Sequence, residues 1–135
     1  MERIDWNPSF SVGVKVLDEE HKRIVRMINL LISDPGATVR SETISDLLDR
    51  LTTYASDHFR TEEQFLEEYG YPDLAGHKEE HKAYRLKVVA LCQATMSHED
   101  SVPAELLEFI GDWWKNHILE TDMRYRPFLT ERGVK

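Results

Sequence analysis

Leu47-Leu-Asp-Arg-Leu51-Thr-Thr-Tyr54-Ala-Ser-Asp-His58-Phe-Arg-Thr-Glu62-Glu-Gln-Phe65 is the stretch on which the architecture of this chain turns. Leu47, Leu51, Tyr54, His58, Glu62 and Phe65 recur at steps of four and three, the spacing of one helix face. The period runs from about Val39 to Glu68. It stops at Gly70-Tyr-Pro72, a glycine just past the end and a proline two residues on. Two members of the apolar stripe are polar: His58 and Glu62 stand one turn apart where packing would place hydrophobic side chains. Burying such a pair is costly unless other segments supply partners.

Three further stretches have the same character. From about Asp18 to Ser33, Leu17, His21, Ile24, Ile28 and Leu31 mark one face, acids open the helix and Ser33-Asp34-Pro35-Gly36 closes it. From about Pro72 to Met96 the stripe is His77, His81, Tyr84, Val88 and Leu91. From Pro103 to Asp122 it is Leu106, Ile110, Trp113 and His117, and the helix is expected to end before Pro127. Residues 1–17 lack helical period and read as an arm packed over the bundle by Trp6, Phe10 and Val14. No segment alternates as a half-buried strand does. Residues 1–135 therefore read as one all-α domain, an up-down-up-down antiparallel four-helix bundle with an N-terminal arm.

A lone histidine on an apolar face is ordinarily satisfied by a neighbour. Here the same substitution falls on all four helices, and His58/Glu62 and His77/His81 both show the i, i+4 spacing. In an alternating topology His21, His58, His77, His81 and His117 all lie at one end of the bundle. Asp122 is the awkward member, because five residues after His117 turns a regular helix by about 140°. His98, in the loop at the opposite end, reads as a surface residue, and Cys92 as a small buried hydrophobe.

The formal charge of −8 argues against a nucleic-acid partner and reads as a solvated acidic surface. One cysteine excludes an internal disulfide. The opening Met-Glu-Arg-Ile-Asp-Trp has neither a basic run nor an apolar stretch, and no segment approaches the roughly 20 apolar residues of a membrane span. A cytoplasmic monomer without a membrane partner is the expectation.

Five imidazoles and two carboxylates, those of Glu62 and Asp122, are too many for one structural zinc and suit two six-coordinate metals. Five imidazoles, two bridging carboxylates and an oxide or hydroxide bridge leave a single position open, room for a small diatomic ligand.

Asp18-Glu-Glu-His21, His58-Phe-Arg-Thr-Glu62, His77-Lys-Glu-Glu-His81 and Trp113-Trp-Lys-Asn-His117-Ile-Leu-Glu-Thr-Asp122 resemble the hemerythrin family, particularly its single-domain bacterial members. The resemblance extends from Trp6 to about Tyr125. It implies two iron ions with an oxo or hydroxo bridge and dioxygen as ligand. His77, His81 and His117 would hold the saturated iron, His21 and His58 the iron with the vacancy, and Glu62 and Asp122 would bridge. Ile24, Phe59, Trp113, Trp114 and Ile118 are the candidate walls of the oxygen pocket, Trp114 being bulkier than the leucine the family leads one to expect.

The function so implied is reversible oxygen binding for storage, transport or delivery to an oxygen-using enzyme, rather than catalysis. The excess of imidazoles over carboxylates favours it, as does the lack of the Glu-x-x-His repeat of carboxylate-rich di-iron proteins. Reduction of peroxide, nitric oxide or oxygen at the same centre is the alternative, as is sensing of oxygen or redox state through a partner.

Overall fold

The computed structural model describes residues 1–135 and contains helices and turns but no strand. Helix α1 spans Lys15–Ile32, α2 Glu42–Glu68, α3 Leu74–Met96 and α4 Val102–Asp112. The fourth rod does not stop at Asp112. It widens into a π-helix over Trp113–Thr121, tightens into a 3-10 turn at Asp122–Arg124 and resumes as α5, Tyr125–Glu131. Together these rods form a four-helix bundle, and no helix is long and apolar enough to cross a membrane.

The boundaries have local causes. Helix α1 begins ahead of Asp18 because that carboxylate ties down the arm, accepting from the Ser11 hydroxyl and from the Val12 N–H at 2.8 Å. Helix α2 begins only at Glu42, since Thr38 to Ser41 form a turn in which the Thr38 N–H donates to Ser41 Oγ at 2.8 Å. Its far end closes as the sequence suggests. Gly70 takes φ +73°, and the N–H groups of Gly70 and Tyr71 donate to the carbonyls of Glu67 and Leu66.

The last rod departs most from expectation, for it runs past Pro127 rather than ending before it. The 3-10 turn resets the helix, so Pro127 falls in the first turn of α5, where a missing N–H costs little.

The stripes identified above are the buried faces, except that Phe65 is half-buried and its neighbour Leu66 takes the buried place. Leu17, Ile24, Ile28, Leu47, Leu51, Tyr84, Leu91, Leu106 and Ile110 are all buried. The arm packs on through Trp6 and Phe10, whose rings meet Trp114 at 6.2 and 5.1 Å. The Asn29 side chain also clasps the backbone of Ile4, accepting from its N–H at 2.8 Å and donating to its carbonyl at 2.7 Å.

Candidate metal centre

His21, His58, Glu62, His77, His81, His117 and Asp122 come together in the bundle interior, none more than 2% exposed. Helix α1 contributes His21, α2 contributes His58 and Glu62, and α3 contributes His77 and His81. The π-helix presents His117, and Asp122 follows it.

The awkward spacing of His117 and Asp122 is resolved by that π-helix. The Asp122 N–H donates to the His117 carbonyl, a bond across five residues where a regular helix spans four. The wider turn brings Asp122 round to the side of His117, and the two side chains meet at 3.0 Å, Nε2 to Oδ1.

The donor atoms sort into two groups that share Glu62. One is Glu62, His77, His81 and His117, the other His21, His58, Glu62 and Asp122, and within each group the donor atoms lie within 4.8 Å of one another. Each carboxylate divides its two oxygens between them. Glu62 Oε1 faces His77 at 2.6 Å and His81 at 3.0 Å, while Oε2 faces His58 at 3.2 Å and His21 at 3.4 Å. Asp122 Oδ1 faces His77 at 2.8 Å and His117 at 3.0 Å, while Oδ2 faces His21 at 3.1 Å.

Several of these atoms are close without being hydrogen-bonded. His58 Nε2, His117 Nε2, both nitrogens of His21 and both oxygens of Asp122 are buried and lack partners. Such groups are costly to leave unsatisfied, and lone pairs that converge without meeting suit cations placed between them.

Three of the five outward-facing nitrogens are held by glutamates. The Nδ1–H of His58 donates to Glu20 Oε1 at 2.8 Å, that of His81 to Glu63 Oε2 at 2.6 Å and that of His117 to Glu80 Oε1 at 3.1 Å. This fixes each ring and turns Nε2, with its lone pair, inward. Thr121 donates to the same Glu80 oxygen at 3.0 Å, and the buried Tyr125 hydroxyl donates to Glu62 Oε2 at 2.9 Å.

Electrostatics follow from the burial of opposite charges. Burial alone would lower the pKa of His21, but Asp122 and Glu62 outweigh it and raise the imidazole to about 9. The same balance takes His77 to about 10 and His117 to about 9. Burial would raise the Glu62 carboxyl, yet His58, His21 and His77 hold it well below the usual range. Asp122 is likewise held low, against both burial and the charge of Glu62. Two ionised carboxylates in this interior demand positive charge, which protons supply when metal does not.

The hemerythrin HHE cation binding domain matches this chain over residues 12–129. The chain belongs to the hemerythrin family. It is 34% identical to a bacteriohemerythrin of Methylococcus capsulatus, with 96% of this chain and 99% of that protein covered. A myohemerythrin of Theromyzon tessulatum is 30% identical, with coverages of 93% and 92%. A crystal structure of wild-type hemerythrin superposes with a TM-score of 0.74 at 28% identity, covering 93% of this chain and 97% of that one.

Around this cluster the candidate wall residues Ile24, Phe59, Trp113, Trp114 and Ile118 are all buried. Phe59 stacks on His81 and Trp113 on His117, both with ring centroids 3.8 Å apart, so these two back the three-imidazole group. Trp114 is engaged with Trp6 and Phe10 of the arm. The largest of the more prominent surface cavities, about 660 Å³ between α2 and α3, reaches Glu63 but none of the seven residues of the cluster.

The roles of Glu20, Glu63, Glu80 and Tyr125 escaped the sequence reading. The sequence alone presents Glu20 only as one of the acids that open the first helix, and gives Glu63 and Glu80 no role. Their sequence signal was adjacency: Glu20 precedes His21, Glu63 follows Glu62 and Glu80 precedes His81.

Proposed function

We propose that this chain, as one hemerythrin-like domain, binds dioxygen reversibly for storage, transport or delivery at two irons held by His21, His58, Glu62, His77, His81, His117 and Asp122. The observation that carries this reading is the division of oxygens: each carboxylate offers one atom to each group of imidazoles, as a bridge between two cations would require. When bound, the iron pair would supply the two electrons that oxygen binding draws on, and a hydroxo bridge the proton.

The chain's own residues do the rest. His77, His81 and His117 would give one iron three imidazoles, whereas His21 and His58 would give the other only two, which supports an open position on that side. Glu20, Glu63 and Glu80 hold the Nδ1 protons of His58, His81 and His117 and keep those rings oriented with Nε2 inward. Ile24, Phe59, Trp113, Trp114 and Ile118 are assigned to exclude water, which protects a reducing centre from proton-assisted loss of its ligand.

The test is to prepare the protein with ferrous iron and admit air. Reversible binding gives a charge-transfer absorption that fades under vacuum and returns with oxygen. Rapid, irreversible oxidation, or steady turnover of peroxide, would overturn it in favour of an enzyme.

A further inference from the structure

Three tyrosines are fully buried near the centre, and two have obvious employment. The Tyr84 hydroxyl donates to the Leu51 carbonyl at 2.9 Å, and the Tyr125 hydroxyl donates to Glu62 Oε2 at 2.9 Å. Tyr54 has none. Its side chain is 0% exposed, and its hydroxyl has no hydrogen-bond partner at all. A buried hydroxyl left in this state is destabilising, and native interiors rarely tolerate one without a reason.

Its location supplies the reason. Tyr54 lies one turn before His58 on α2 and stacks on that imidazole, with centroids 4.8 Å apart and planes 23° from parallel. It also packs edge-on to Phe59 at 5.8 Å. The stacking on His58 sets the ring on the side of the centre where the protein provides two imidazoles instead of three. Trp113 Nε1 is the other buried donor without a partner outside the cluster, but its ring backs His117 in the three-imidazole group.

Resting on the di-iron reading above, we propose that the Tyr54 hydroxyl donates a hydrogen bond to the small ligand that enters beside His21 and His58. Tyr54 then sets how tightly an anionic or strongly dipolar ligand is held there, whereas the walls Ile24 and Ile118 offer only apolar contact. It is a binding residue for the ligand and not a ligand of the metal.

Azide is the probe, titrated into the ferric, iron-loaded protein and followed by its charge-transfer absorption. Tyr54→Phe should retain two irons per chain and bind azide about tenfold more weakly, the loss of one hydrogen bond to an anion. Without metal, the same variant should unfold no earlier than the parent, because the deleted hydroxyl had no protein partner. Tyr84→Phe should do the reverse, unfolding earlier while azide affinity holds, since its hydroxyl serves the Leu51 carbonyl. Unchanged azide affinity in Tyr54→Phe with full iron overturns the proposal, including the case in which the hydroxyl merely binds a buried water. Earlier unfolding or iron loss in Tyr54→Phe overturns it in favour of a structural role. If the parent protein takes up no iron pair, the di-iron reading itself fails, and this proposal with it.

Discussion

Two apolar bodies of unequal size lie on either side of the polar layer. The larger is a cluster of 22 buried residues filling the length of the bundle, the smaller a cluster of 7 made of Val12, Val14, Leu17, Leu66, Tyr125, Leu129 and Val134. The layer between them can be followed along three of the four rods: Leu17, His21, Ile24 on α1; Phe59, Glu62, Leu66 on α2; Ile118, Asp122, Tyr125 on the last. The large body is built from all four rods and carries most of the apolar burial that drives folding. The small one joins the arm, the end of α2 and α5, and Tyr125 fastens it to Glu62. One body holds the fold and the other closes the centre.

The most severe way to break that division is Glu62→Ala, which removes the carboxylate facing both groups of imidazoles. It should abolish binding of the iron pair and cost about 3–5 kcal/mol, the usual penalty for stranding buried charge. Iron analysis and thermal unfolding would register both, and a variant still holding two irons would deny Glu62 its bridging role. Next come paired truncations, one in each body. Leu51→Ala should cost about 2–5 kcal/mol in chemical denaturation while iron release to a chelator stays slow. Leu129→Ala should cost less overall yet release iron faster. Equal release rates would show that the small cluster does not guard the centre.

Smaller effects are expected from the glutamates that orient the rings. Glu63→Gln, which keeps shape but loses charge, should weaken metal affinity about 10–100-fold with little change in the metal-free fold. Competition with a chelator measures it. An effect no larger than that of Glu67→Gln, an exposed neighbour, would count against the orienting role.

The mildest test is pH. In metal-free protein His21, His77 and His117 are raised to about 9, 10 and 9, above the ordinary imidazole value. Stability from these groups is thus fully present below about pH 6.5 and is lost as pH rises through 9 to 10. Metal takes the place of those protons, so the iron-loaded protein should show no such alkaline decline and should instead lose iron in acid. Denaturation midpoints at pH 7 and 10, with and without metal, would reveal the contrast.

Much of this was legible in the chain because the bundle and its polar cluster obey one rule. A residue on the apolar stripe is buried, so polar residues on four stripes at matching depth must meet. The rule fails where helical period fails. Asp122 looked misdirected because its bond to His117 spans five residues, and nothing in Trp113–Thr121 advertises a π-helix. Pro127 looked like a stop because the 3-10 turn that resets the helix has no compositional mark. Glu20, Glu63 and Glu80 were hidden for a different cause: an acid that leans inward to a histidine and one that faces water have the same spelling. Tyr54 and Tyr125 were hidden in the same way, since periodicity reports that a ring is buried and says nothing about its hydroxyl.

The widened turn in the last rod has a consequence for how the molecule can be altered. Leu106 and Ile110 upstream keep the bearing demanded by the bundle, while Tyr125 and Leu129 downstream keep the bearing demanded by the plug above the centre. A seamless helix would lock those two headings together. The π stretch works as a clutch between them, and deleting one residue within it would swing everything from Asp122 onward by about 100°. Along this rod, the direction of Asp122 therefore depends first on the number of residues between it and His117.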